Sequence, residues 1–480
     1  RSFGGADEDI ALVVEAAADG GFVLGGYSYS DPSGAKSDAN HEGGDYWIVK
    51  LDAAGNRQWD KSFGGARFDG LRSLQQTSDG GYILGGTSFS GPTGNKTTTS
   101  FGPHSGDYWI VKVNAAGNRQ WEKVFGGTNL DTLAAIQQAS DGGYILAGTS
   151  SSPASGNKTS ESFGAGTTDW WVVKIESNGS RQWERSFGGN DDDELHAVAQ
   201  TPDGGFVFGG TSFSTVSGNK GATSHRLGDF WLVKVDRNGN RLWEKTFGGD
   251  DAEELLALCV MPDGGILLGG HSASDASGNK TAANIGAHDF WLVRIDASGN
   301  KLWDKTYGGE DADELFSVHA SPGGGYVLGG ISFSGNSGGK STARLSPDGP
   351  DYWIVHIDEQ GDKRDEEAVR GSLSGEALRL RPGSGGGIVV PGLTSGDGAQ
   401  DFTLTRLGGP LRFVTSAVGP GQVFHTQLTA TDGAVFILQT STNLAAWTAL
   451  ATNRATNGHV SFACTNPPAS RRFFRVQQQP

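Results

Sequence analysis

The chain has 480 residues, with 77 glycines, 13 tryptophans and 36% hydrophobic content. The glycine load excludes a helical protein, and the aromatic content excludes a disordered one. The formal net charge is −16, and the acidity sits before Gly409, because the segment from there onward carries five Arg and one Asp. A field of that sign repels nucleic acid and anionic lipid and favours cations, though it also serves plain solubility. Only two cysteines are present, Cys259 and Cys464, so neither a disulfide framework nor a cysteine zinc site is expected. No run of about 20 apolar residues exists, and membrane insertion is not expected.

The chain opens on RSFGG, residues 1–5. This is the tail of a repeated unit, so we expect an upstream piece to have been removed; no signal peptide is visible. The F-G-G marker returns from Phe63, Phe125, Phe187 and Phe247 and as Tyr307-Gly308-Gly309, at spacings of 60 to 62 residues. A fainter copy ends at Gly409.

The fourth unit shows the elements in order. ELHAVAQT alternates apolar and polar residues, as a half-buried strand does. PDGG is a tight-turn signal. FVFGGTSFS is a second strand, with glycines where backbones approach closely. A long polar loop, TVSGNKGATSHRLG, leads to a third strand, DFWLVKVD, then an RNGN hairpin turn and a fourth strand, RLWEKTFGG. Four antiparallel strands at this period predict a β-propeller blade. Six units are full. The seventh supplies three strands, in GEALRLRP, GIVVPGLTS and DFTLTRLGG.

The predicted fold is therefore all-β: a seven-bladed propeller of about 60-residue four-stranded blades over residues 1–409, with residues 1–5 completing the last blade. Pairing the chain ends in this way removes an exposed sheet edge. Residues 410–480 read as short strands between turns, a small β-sandwich that must bury Trp447 and Phe473 or Phe474.

The pattern DGGYILGGTS…DYWIVKLDxxGNxQWxKxFGG resembles a family of secreted bacterial β-propeller repeats found in large, often C-terminally sorted surface proteins. The likeness covers residues 1–409. The tail, with STNLAAW and RRFFRV, resembles a small C-terminal β-domain of exported bacterial proteins. The resemblance implies export and display, and it brings no catalytic site.

Four sets of residues are candidates for function. The first is a carboxylate four residues after each marker: Asp9, Asp69, Asp131, Asp193, Glu253 and Asp313. Each opens a first strand, which lines the channel of a propeller. Gathered at a channel mouth, such acids would repel one another unless a hard cation such as Ca²⁺ compensates. Alternatively, each accepts backbone N–H groups in its own turn. The second set is the Asp that begins every third strand, from Asp45 to Asp401, which reads as a brace between strand and loop. The third is the loop lysines Lys36, Lys96, Lys158, Lys220, Lys280 and Lys340. They either form exposed pairs with the acidic turns or mark a binding face for polar ligands. Asn95, Asn157 and Asn279 in those loops match a glycosylation acceptor pattern. The fourth set is the tryptophans of third and fourth strands, regular enough to read as packing between blades.

Hydrolase signatures do not hold. GNSGG at 335–339 lies in a loop, and the ten histidines are scattered without metal-ligand spacing. The sequence thus leads us to expect a non-enzymatic extracellular or cell-surface protein for adhesion, ligand binding or assembly. Its partner would be a protein or polysaccharide surface, or a second copy reached through the N-terminal strand. The competing expectations are a glycan-binding or glycan-processing module and a calcium-dependent binder.

Overall fold

A computed structural model describes residues 2–102, 105–321, 324–347 and 349–370, and beyond these the strands from Arg381–Pro382 to Phe473–Gln478. Gly375, Glu376 and Trp447 lie outside the described residues, as do the side chains of Asp401, Phe473 and Phe474.

The molecule is all-β, and its architecture is a β-propeller. Six consecutive four-stranded antiparallel sheets form blades one to six, each with its strands in sequence order. Blade one comprises Asp9–Ala16, Phe22–Ser28, Asp45–Leu51 and Arg57–Phe63. Blades two to six begin at Asp69, Asp131, Asp193, Glu253 and Asp313 and end at Phe125, Phe187, Phe247, Tyr307 and Arg370. A further four-stranded sheet has the order Ser2–Phe3, Ala399–Leu407, Ile388–Gly396 and Arg381–Pro382. The N-terminal strand therefore pairs with a strand about 400 residues away, Ser2 opposite Thr403 and Phe3 opposite Phe402.

The chain divides into two compact units. The first is Arg1–Pro382 with Val389–Thr405, and the second is Gly383–Ile388 with Arg406–Pro480. The second unit contains two three-stranded sheets. One has the order Phe413–Gly419, Val423–Thr429, His459–Cys464; the other has Thr448–Arg454, Val435–Ser441, Phe473–Gln478.

Local chemistry explains the regular blades. Gly204 of the PDGG turn has a φ of 82°, in the left-handed region where a side chain would be strained. In the second strand, a Cβ on Gly210 would fall 1.9 Å from the carbonyl oxygen of Glu194, so only glycine admits the first strand this closely. That first strand carries a bulge in every blade. In blade four the register passes from Leu195 to Ala197, which makes His196 the bulged residue.

The core lies between blades. In blades one to five, an aromatic on the third strand packs on the third-strand tryptophan of the next blade. The ring centroids are 4.8 Å apart for Tyr46 and Trp109, 4.4 Å for Trp170 and Trp231, and 4.8 Å for Phe290 and Trp353. The hydroxyls of Tyr46 and Tyr108 also donate across the interface, to the carbonyls of Trp109 and Trp171, each at 3.0 Å. Fourth-strand tryptophans join in, Trp59 on Tyr82 and Trp121 on Tyr144. Each such pair adds about 0.5–1.5 kcal/mol beyond area burial.

Candidate functional site

Strand direction assigns two rims to the blades. First and third strands start, and second and fourth strands end, on one rim. Its cross-strand neighbours in blade one are Asp9, Ser28 and Asp45. The long loops and the acidic turns share that rim, as the sequence implies.

The structure places the six predicted carboxylates inside this rim, buried and apart. Asp9, Asp69, Asp131, Asp193, Glu253 and Asp313 are at most 1% exposed. Each accepts the backbone N–H of the second glycine of its own marker; for Asp69, Gly65 N is at 2.8 Å. A serine hydroxyl adds a second donor, Ser90 Oγ at 2.8 Å for Asp69 and Ser272 Oγ at 2.8 Å for Glu253. This geometry is that of turn braces, with one brace per blade. Burial raises Asp69, Asp131, Asp193, Glu253 and Asp313 above the ordinary carboxylate range, against the pull of these donors.

The third-strand aspartates of blades one to six are buried too, and each fastens the long loop of its own blade. Asp45 accepts His41 N at 2.7 Å, and Asp107 and Asp169 accept Phe101 N and Phe163 N at 2.8 Å. Asp45 of blade one and Asp69 of blade two face the same glycine. A Cβ on Gly64 would lie 1.8 Å from Asp45 Oδ1 and 3.0 Å from Asp69 Oδ2. Burial, with a second acid at the blade junction adding to it, raises the pKa of these groups. Burial, with the neighbouring Asp131 or Asp193, pushes Asp107 and Asp169 up to about 7. Asp45 is pushed up by burial to about 6, with His41 opposing.

The lysines are not a surface set, which corrects the expectation of exposed pairs. Lys36, Lys96, Lys158, Lys220, Lys280 and Lys340 are 2–3% exposed. Their ammonium groups donate to loop carbonyls and hydroxyls, Lys36 to Asp38 O at 2.7 Å and Ser62 Oγ at 2.8 Å, Lys220 to Ser214 O at 2.9 Å. Five sit 5.7–6.0 Å over a tryptophan of their own blade. Burial lowers the pKa of all six, and nearby carboxylates oppose that shift and hold the proton on. The Asn95, Asn157 and Asn279 amides are occupied as well. Asn157 takes Gly126 N at 2.9 Å and donates to Val124 O at 2.8 Å, sewing the loop to the preceding fourth strand.

The repeated lysines and asparagines and one oxygen of each buried acid are thus taken up by the scaffold, while the Oδ1 atoms of Asp69, Asp107, Asp131 and Asp169 are buried without a hydrogen-bond partner among the described residues. Two other features remain on the rim. One is the channel mouth. The six bulge residues, Leu12, Arg72, Ala134, His196, Leu256 and Phe316, all line one cavity of about 540 Å³. A bulge re-aims the side chain it carries, and here it sets the channel wall with residues that differ from blade to blade. Sequence reading missed them because each breaks the strict alternation by one place. The other feature is apolar. Of eleven exposed large hydrophobic residues among the described residues, nine lie on this rim, including Tyr29, Phe101, Phe163, Phe213 and Leu227.

No family model matches the chain. The regulatory protein FlaEY of Caulobacter vibrioides is 26% identical over 209 residues, which is 41% of this chain. The match spans 22% of that protein's length. Among solved structures, Chaetomium thermophilum Sqt1 aligns with a TM-score of 0.43 at 13% identity, over 88% of this chain and 94% of that one. The Neurospora crassa Pan2 WD40 domain aligns with a TM-score of 0.43 at 11% identity, over 79% and 85%.

Proposed function

We propose that this chain is a non-enzymatic binding scaffold that takes a protein partner on its loop-bearing rim. The observation that carries this reading is the concentration of exposed aromatic and aliphatic side chains there, nine of the eleven among the described residues, on a rim whose repeated loop lysines are buried and donate to the scaffold. Apolar anchors on a rigid, polar-edged surface are what a protein interface uses.

Three finer readings accompany it. The sheet containing Ser2–Phe3 serves as a seventh blade that closes the ring, supported by the pairing of Ser2 with Thr403. The two three-stranded sheets of the second unit form a small sandwich. The protein works outside the cell, on the strength of the repeat resemblance. Fractionation of the producing organism tests the last.

The partner reading is tested with the immobilised chain and crosslinked envelope or medium proteins from that organism. We expect one protein retained by the wild type and at least tenfold less by a Phe213→Ser, Leu227→Ser variant. Equal retention by the two overturns the reading. Binding confined to a glycan array would replace the protein partner with a polysaccharide. Light scattering of the same sample reports self-association.

A further inference from the structure

The sixfold repetition fails at one junction. Where other blades place Leu12, Arg72, Ala134, Leu256 or Phe316 at the first-strand bulge, blade four places His196. Where other second strands carry Tyr27, Thr87, Thr149, Thr211 or Ile331, blade five carries His271. Glu194 and Glu254, each the second residue of a first strand, flank these histidines. His288, just before the third strand of blade five, lies beside His271 with the rings tilted by 39° and centroids 5.7 Å apart.

We propose that Glu194, His196 and Glu254, with His271 as a further donor, form a binding site for one divalent transition-metal ion of the zinc class. The ligand atoms of the first three lie within 4.8 Å of one another, the one such group among the described residues. His196 Nε2 is 3.7 Å from Glu194 Oε2 and 3.8 Å from Glu254 Oε1. The second Glu254 oxygen, Oε2, is 3.4 Å from His271 Nε2. Contacts of 3.7 and 3.8 Å are too long for hydrogen bonds. Two ligands of a tetrahedral ion, each bonded at about 2.0–2.2 Å, stand about 3.3–3.6 Å apart, so small turns of the two half-exposed glutamates close the set.

The chemistry of the donors selects the ion. Imidazole with carboxylate suits Zn²⁺ and its neighbours, whereas Ca²⁺ and Mg²⁺ favour oxygen-only cages. The buried Nδ1 atoms of His271 and His288 have no hydrogen-bond partner, so both rings have donor capacity to spare.

Access is provided on both sides. Glu194 and His196 line the channel-mouth cavity, and Glu194, Glu254, His271 and His288 line an adjoining one of about 200 Å³. With Glu194, His196 and Glu254 as ligands and an open cavity beside it, the ion keeps a position for water or for an oxygen of a docked molecule, and His271 as a fourth ligand would close it.

The untagged full-length chain, stripped with EDTA, is titrated with ZnCl₂ in a calorimeter and with Co²⁺ in a spectrophotometer. We expect one Zn²⁺ per chain and a visible Co²⁺ band. H196A and E254Q each weaken Zn²⁺ by at least tenfold and abolish the band. H319A, at a histidine outside the cluster, changes neither. Melting curves in EDTA verify that the variants are folded, and E194Q replaces E254Q if the latter is not. Absence of heat and band in the wild type overturns the site, as does equal affinity in wild type and H196A.

Discussion

At the level of single residues, buried charge makes the fold sensitive to pH. Asp45 stands at about 6, and Asp107 and Asp169 at about 7, above an ordinary 3.8. The folded chain therefore keeps protons that the unfolded chain has already released. What these groups contribute to stability is fully present below about pH 4 and is lost as pH rises through 6 to 7. Asp79 and Asp304 behave in the opposite sense. Burial resists their ionisation, but hydrogen bonds from Thr77 and Lys112, and from Thr281 and Lys301, outweigh it and hold both at about 2. Their contribution is present above about pH 4 and is lost as pH falls through 2. Melting temperature should therefore be higher at pH 5.5 than at pH 8, by ~2–5 °C. A D107N/D169N variant should shrink that difference in a calorimetric scan. An unchanged melting temperature between the two pH values would refute the assignment.

Lys158 is the complementary case. It is 2% exposed, and the charges of Asp131, Glu184 and Asp169 surround it. Removing it leaves buried carboxylates without their cation, so K158M should cost about 3–5 kcal/mol in urea denaturation. K305M removes a half-exposed pairing with Asp362, and should cost under about 1 kcal/mol. Similar losses in the two variants would contradict the buried role.

Among the elements, the two-residue strand Ser2–Phe3 does the most for its length. It completes a four-stranded sheet, and Phe3 is buried against Val14, Phe22 and Trp47 of blade one. Deleting residues 1–5 exposes a sheet edge and opens that apolar cluster. We expect the melting temperature to fall by several degrees and proteolysis near blade one to quicken. A variant that melts like the full chain would remove this strand from any closing role.

The first-strand bulge is the second informative element. It gives each blade one residue outside the ladder, and those six residues meet in one cavity. Binding function can therefore change through bulge and loop residues while the packing repeat stays intact. The Phe213 and Leu227 variants and the H196A variant act on those positions and leave the blade cores alone, so their effects should be separable from folding.

For the whole molecule, sequence and tertiary structure decided different things, and the division has a physical cause. Strand order, turn positions, blade period and the inter-blade role of the tryptophans follow from local pattern, because period-two alternation, Gly turns and aromatic spacing are properties of neighbours along the chain. The pairing of residue 2 with residue 403 was legible as well, since an orphan strand and an incomplete unit imply one another. Burial of the loop lysines was not legible. SGNK reads as solvated loop, and only the folded rim supplies the tryptophan face and carbonyls that take the ammonium group indoors. The glutamate–histidine cluster was hidden for a related reason. His196 and His271 are 75 residues apart in a sequence with no metal-ligand spacing. The bulge that aims His196, and the blade junction that brings it to Glu254, the cross-strand partner of His271, exist only in three dimensions.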